Sequence, residues 1–204
     1  RTVASMTKAV SPLSGAAHAI ARGAVRAEDT VFVAGAGPVG LMILLGLKAM
    51  GVRTVFMTDL QANRRRLAEE LGATQTWDPS QEKCSARVKA LTQGRGADVA
   101  IEAVGIEATL KDCLTSVRQQ GTVIVQGIFT ERVPVHMFGF VIRETTMIGC
   151  NAIQPELALR WLANGAIQPE RIVTNTISLA DIVAGGFEVL AGKSPTAIKI
   201  LVAP

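Results

Sequence analysis

The chain contains no tyrosine, only two histidines, three cysteines and 4% aromatic residues in 204. Without tyrosine, no Tyr-x-x-x-Lys acid/base pair can exist, which excludes one large class of nicotinamide enzymes. Cys84, Cys113 and Cys150 are odd in number and widely spaced, so neither a disulfide framework nor a Cys-x-x-Cys metal site can be read. They are expected as reduced, buried thiols of a cytoplasmic protein. Long runs of one charge are also missing. The densest, Arg64-Arg65-Arg66, is followed by Glu69 and Glu70 and reads as a solvated helix face, although the net charge is +4. With no basic stripe and no interleaved aromatics, a nucleic-acid partner is not expected. No stretch reads as a membrane span or a signal peptide. The uncharged segment 30–47 is broken by Gly35, Gly37, Pro38, Gly40 and Gly46 and divides into a buried strand, a turn and a buried helix.

What is present is apolar residues in rhythm: 49% of the chain is hydrophobic, enough for a real core in one or two domains. A helix is predicted over 12–25, with Ser11 as N-cap and Pro12 at its first position. Short apolar strands are predicted at 31–34, 54–57, 74–77, 98–101, 122–126 and 145–148. Between them fall helical patterns at 39–50, 62–71, 80–91 and 107–117. Such alternation builds βαβ units and a doubly wound parallel sheet covered on both faces. After Gly149 the rhythm changes, with helices at 155–162 and 179–190 and strands at 172–177 and 197–202.

Gly35-Ala36-Gly37-Pro38-Val39-Gly40 spells G-x-G-x-x-G after an apolar strand and at the start of a helix. In that context Gly35 permits the tight turn and Gly37 lets backbone approach a pyrophosphate. Gly40 allows close helix–strand packing, and Pro38 suits the first helical turn. Asp59 lies 19 residues after Gly40 at the end of the next strand, where a carboxylate accepts from an adenosine ribose and repels a 2′-phosphate. These residues point to NAD rather than NADP. Catalytic groups are not legible: His18 and His136 stand outside any metal or triad pattern.

The chain resembles the C-terminal half of a medium-chain, zinc-type alcohol dehydrogenase, of the sorbitol, threonine and butanediol dehydrogenase branch. The likeness is carried by Ser11-Pro12-Leu13 with His18-Ala19, by residues 31–40, and by Asp59, Arg64 and Leu71-Gly72-Ala73. It continues through Gly94-Arg95-Gly96-Ala97-Asp98-Val99, Glu102-Ala103-Val104-Gly105, Gly121-Thr122-Val123 and residues 197–202. The resemblance implies a six-stranded Rossmann domain over 24–150, a leading helix over 1–23 and a tail, 151–204, returning to a GroES-like catalytic domain. It implies that Gly35, Gly37, Pro38, Val39 and Gly40 hold the pyrophosphate, Asp59 the ribose and Arg64 the adenosine region. Ala103, Val104, Gly105, Gly127 and Ile128 would line the cofactor toward the nicotinamide, with Lys199 near the phosphates. That branch commonly has glutamate before Pro-Leu, at or near a catalytic zinc. Here the residue is Ser11, so any zinc is expected to be held outside this chain.

The implied function is the cofactor-binding portion of an NAD-dependent oxidoreductase acting on a secondary alcohol, polyol or related ketone. Inactivity of the portion alone is expected, because activation of the substrate would come from elsewhere. The alternatives are a zinc-free quinone or enoyl reductase on the same scaffold, or a dinucleotide-binding module without turnover. Apolar residues of the tail, Ile172, Ile177, Ile198, Ile200 and Leu201, are expected to be exposed and to drive assembly into a homodimer or homotetramer.

Overall fold

The computed structural model describes residues 3–192 and 197–203, with side chains from residue 11 onward. The extreme ends of the leading and trailing segments, 1–2 and 204, lie outside the described residues. In chain order the main elements are α1 (Val3–Arg22), β1 (Thr30–Ala34), α2 (Pro38–Ala49), β2 (Thr54–Thr58), α3 (Ala62–Glu70) and β3 (Gln75–Trp77). They continue with α4 (Cys84–Leu91), β4 (Ala97–Glu102), α5 (Glu107–Ser116), β5 (Val117–Val125), α6 (Met137–Ile142) and β6 (Thr146–Gly149). The tail holds α7 (Pro155–Ala163), β7 (Val173–Ser178), α8 (Glu188–Ala191) and β8 (Lys199–Ala203).

β1 to β6 form one parallel sheet in the order β3-β2-β1-β4-β5-β6, the doubly wound Rossmann arrangement. Alternation along each strand sends neighbouring side chains to opposite faces. Val31, Val33, Val55, Met57, Val99, Ile101 and Ile124 pack beneath α1, α2 and α7. Phe32, Ala34, Phe56, Ala100 and Val123 pack with Trp77, α4 and α5 on the other face. Both faces are covered, which is why these strands read as unbroken apolar runs. α2 is buried from Gly40 to Leu47, as a helix sandwiched between a sheet and two further helices must be.

Several sequence expectations are corrected. The first helix does not start at Pro12; it runs from Val3, with Pro12 inside it and Ser11 an exposed interior residue, not a cap. A proline inside a helix removes one backbone hydrogen bond and costs about 3 kcal/mol. Here the buried stripe Leu13, Ala16, Ala17 and Ile20 offsets that cost. The helix expected from Ser80 begins only at Cys84, because the Ser80 N–H and hydroxyl both donate to Asp78 and hold a turn. Those two bonds also draw the Asp78 carboxyl below its ordinary pKa. β5 starts at Val117, five residues early, across an irregularity opposite Ala97–Val99. α6 had no counterpart in the sequence reading; His136 caps it, its Nδ1 accepting the Gly139 N–H.

The tail departs furthest from expectation. Residues 179–190 form a 3₁₀ turn (Leu179–Asp181), a π turn (Ile182–Phe187) and the short α8 in place of one α-helix. Tandem Gly185-Gly186 weakens the α-helical preference there. β7 and β8 pair in parallel with each other, apart from the main sheet. The expected exposure of tail apolar residues is also corrected. Ile172 and Ile198 are buried in the same core cluster as Trp161 and Ile167, and Ile177, Ile200 and Leu201 are half-buried. Apolar exposure lies instead on Leu179, Val183, Phe187 and Leu190, and on Met137, Phe138, Val141 and Ile142 of α6. No described helix is long and apolar enough to cross a membrane.

Candidate functional site

In a doubly wound sheet the ligand crevice opens at the carboxyl ends of the strands where the strand order reverses. Here that point lies between β1 and β4. β1 stops at Ala34 and the chain turns at Gly35, whose φ of +101° suits glycine. The Gly35 N–H donates to Thr58 O at 2.9 Å, tying the turn to the end of β2. A Cβ on Gly40 would lie 2.0 Å from Gly35 O, so α2 can follow β1 this closely only with glycine at that position. Gly37 differs from both. The nearest atom to a Cβ there is Arg64 Nη1 at 3.9 Å, so its bare side faces open space and gives access to backbone.

Gly37 is also the N-cap of α2, without a side-chain cap, and Pro38 is the first helical residue. The N–H groups of Val39 and Gly40 therefore have no acceptor within the helix. With no acidic residue in the first turn, this terminus carries an uncompensated partial positive charge suited to phosphate.

Asp59 follows β2, its side chain 9% exposed. Its Oδ2 accepts the Ala36 N–H at 3.0 Å and its Oδ1 the Gln61 N–H at 2.9 Å. The carboxylate is thus held against the glycine turn. Arg64 Nη1 lies 3.7 Å from Oδ2, and its guanidinium joins the wall of the cleft. The arginine run divides by role. Arg65 donates to the carbonyls of Asp59 and Leu60 and meets Asp78 at 3.4 Å, bracing the loop, while Arg66 is exposed.

These pieces enclose a cavity of about 560 Å³, walled by Gly35, Gly37, Asp59, Arg64, Ala103 and Val104, with Leu60 and Thr109 beside them. That volume is in the ordinary range for cofactor-sized ligands. The remaining candidates are placed differently. Pro38, Val39 and Gly40 start α2 outside the cavity wall. Gly105 closes the 103–105 turn with Gly127 and Ile128 packed against it, and these three are also outside the wall. Lys199 opens β8 in the second sheet, away from it. Sequence reasoning assigned nothing to Thr109, Asp112 or Glu102. The first two reach the cavity wall from α5, and no spacing rule marks them. A second cavity of about 430 Å³ lies between α5 and α6, walled mainly by apolar residues with Glu107, Lys111, Thr115, His136 and Thr145.

The groups that could perform chemistry are few. Burial pushes the Cys84 thiol up to about 12, raises Cys113 well above its ordinary value and raises Cys150. None is a thiolate nucleophile at neutral pH. Burial also raises the Asp112 carboxyl. No group of three His, Cys, Asp or Glu among the described residues could hold a metal ion, and Ser11 points to no ligand set. The described residues therefore do not fit a catalytic zinc. They do fit a dinucleotide: a glycine turn bare at Gly37, a helix N-terminus and an acid at the end of the neighbouring strand share one cleft.

Comparison with known proteins agrees with this geometry. The profile of a family described as zinc-binding dehydrogenase matches residues 38–164. (R,R)-butanediol dehydrogenase of Neisseria gonorrhoeae is 32% identical over 198 residues, covering 96% of this chain and 56% of that protein. The solved structure of an alcohol dehydrogenase from Thermus sp. ATN1 superposes with a TM-score of 0.90 at 30% identity, over 99% of this chain and 58% of that one. An alcohol dehydrogenase of Escherichia coli CFT073, solved with NADH, superposes with a TM-score of 0.87 at 26% identity, over 96% and 58%. The chain thus spans little more than half the length of the relatives it matches.

Proposed function

Because this chain belongs to the zinc-binding dehydrogenases, the medium-chain zinc-type alcohol dehydrogenase family, we propose that it is the cofactor-binding portion of an NAD-dependent oxidoreductase acting on a secondary alcohol, polyol or related ketone. The observation that carries this reading is Asp59, a carboxylate fixed by the Ala36 N–H at the mouth of the switch-point cavity. A carboxylate so placed accepts from the ribose hydroxyls of NAD and repels the extra phosphate of NADP. Gly35, Gly37, Pro38, Val39 and Gly40 would cradle the pyrophosphate on the α2 terminus, and Arg64 would meet the adenosine region. Ala103, Val104 and Gly105, with Gly127 and Ile128 next to them, would guide the cofactor toward its reactive end. Lys199 is the least supported of the set, since it belongs to the second sheet, apart from the strands whose ends form the cleft. When bound, the nicotinamide ring supplies the hydride acceptor or donor.

Substrate activation is assigned to residues outside this chain, including any zinc. The segment 151–204 is read as the return to a catalytic domain, with 24–150 as the dinucleotide-binding domain and 1–23 as its leading helix. A soluble homodimer or homotetramer in the cytoplasm belongs to the same proposal. Its support is the edge strand β6, paired only with β5 among the described strands, beside the exposed apolar face of α6.

The test is Asp59→Ala with NADH and NADPH titrated by calorimetry. Loss of hydrogen bonds to a charged group is expected to weaken NADH about tenfold or more, with NADPH unchanged or tighter. Equal losses for the two cofactors, or no binding of either by the unaltered protein, would overturn the reading.

A further inference from the structure

Glu102 is the last residue of β4, fully buried, and forms no ion pair among the described residues. A buried carboxylate without a cation is costly and is retained only where hydrogen bonds hold it. All of its described side-chain bonds converge on one oxygen. Oε1 accepts the Val104 N–H at 2.9 Å, the Gly105 N–H at 2.9 Å and the Thr109 hydroxyl at 2.6 Å. Oε2 has no partner among the described residues. The Glu102 carbonyl meanwhile accepts from the Gln126 and Gly127 N–H groups at the end of β5. One residue thus joins the turn after β4, the first turns of α5 and the end of β5.

The consequence falls on the cleft. With the N–H groups of Val104 and Gly105 drawn inward, the turn fronts Gly35 with the Val104 methyls and the Ala103 carbonyl. A Cβ built on Gly35 would lie 2.5 Å from Val104 Cγ2. Behind the turn, a Cβ on Gly127 would lie 2.2 Å from Glu102 Oε2, and one on Gly105 2.4 Å from Ile128 O. The turns after β4 and β5 are nested on this carboxylate without room for a side chain between them. Thr109, its third donor, is itself part of the cavity wall.

We infer that Glu102 is a positioning residue of the cofactor cleft: as an acceptor, not as a charge, it fixes the 103–105 turn against the glycine turn. The inference rests on the dinucleotide reading above for its effect on affinity, but not for its effect on the turn. Two measurements separate the two. Hydrogen exchange at Val104 and Gly105 reports the turn directly, and NADH affinity reports the cleft. Glu102→Gln keeps an acceptor oxygen in place; Glu102→Met keeps the length and removes it. Exchange at the two amides should speed about 100-fold in the Met variant and stay near the original rate in the Gln variant. NADH affinity should fall about tenfold in the Met variant, under conditions where circular dichroism shows it folded, and be restored by Gln.

Unchanged exchange in the Met variant, or a Gln variant as fast and as weak as Met, overturns the inference. Altered exchange in a protein whose unaltered form binds neither NADH nor NADPH would sink the dinucleotide reading and leave the positioning role standing. Should the Met variant not fold, Thr109→Val, which removes one donor to the same oxygen, is read in its place. It should weaken NADH and loosen the turn by a smaller factor, and no change in either would be decisive against the role.

Discussion

The six-stranded sheet and the tail are built from similar proportions of apolar residue but reach different ends. In the sheet, Phe32 is fully buried and stacks on Trp77 with ring centroids 6.1 Å apart. In the tail, Phe187 ends a π turn with 64% of its surface exposed. β1, β2 and β4 lie between two helical layers, so each residue on either face finds a partner. β7 and β8 have one neighbour each, the other; β7 stays mostly exposed and β8 half-buried. The cleft is assembled from the first kind of region, where each turn is anchored by a strand on both sides. A binding site held to fractions of an ångström needs that kind of support. The tail instead leaves large apolar side chains facing outward, at Leu179, Val183, Phe187 and Leu190.

The largest test of this contrast is Phe32→Ala, expected to cost about 3–5 kcal/mol through the cavity it leaves, read from the urea midpoint. A cost below 1 kcal/mol would break the claim that the sheet core carries the stability. Next comes Asp98, at the opposite, amino end of β4. Burial raises its carboxyl, but bonds from Arg95, the Thr30 N–H and Arg118 outweigh it and the net shift is downward. A depressed carboxyl contributes stability that is present above its unfolded value of about 3.8 and lost as pH falls through the lower folded value. Asp98→Asn should therefore destabilise the protein at pH 7 and flatten its stability profile below about pH 4; an unchanged profile would remove the ion-pair argument.

Smaller still is the thiol ranking. With Cys113 fully buried, Cys84 nearly so and Cys150 slightly open, Ellman's reagent should find all three slow at pH 7, Cys150 first, and fast once urea unfolds the chain. Prompt reaction of Cys113 would mean the sheet opens far more readily than its packing allows. The least effect is expected at Phe187, where alanine should change stability by no more than about 0.5 kcal/mol. A cost like that of Phe32 would show that the tail is packed as a core.

Much of this was legible in advance because the signals are local. The strand, the glycine turn, the helix and Asp59 occupy a contiguous stretch of residues, and each announces its conformation by residue type. Arg64 is also legible, though its separation from Arg65 and Arg66 is not: a run of three identical residues carries no information about which one the helix turns toward the cleft. Glu102 has no legible role in the sequence, since its importance lies in bonds that close only when β4, α5 and β5 are side by side. His136 looked like a lone histidine and proved to cap a six-residue helix. The early start of α1 is not legible because Ser11-Pro12 locally marks a helix start, overruled by packing of the residues after it.

By itself, the sequence determined the alternation of elements, the parallel sheet and the dinucleotide fingerprint, because apolar periodicity and glycine's freedom act within a few residues. Tertiary structure alone decided which side chains share the cleft, that the tail's strands pair with each other, and that one buried carboxylate braces two turns. Those outcomes depend on which distant segments come within hydrogen-bonding distance, and no spacing along the chain encodes that distance.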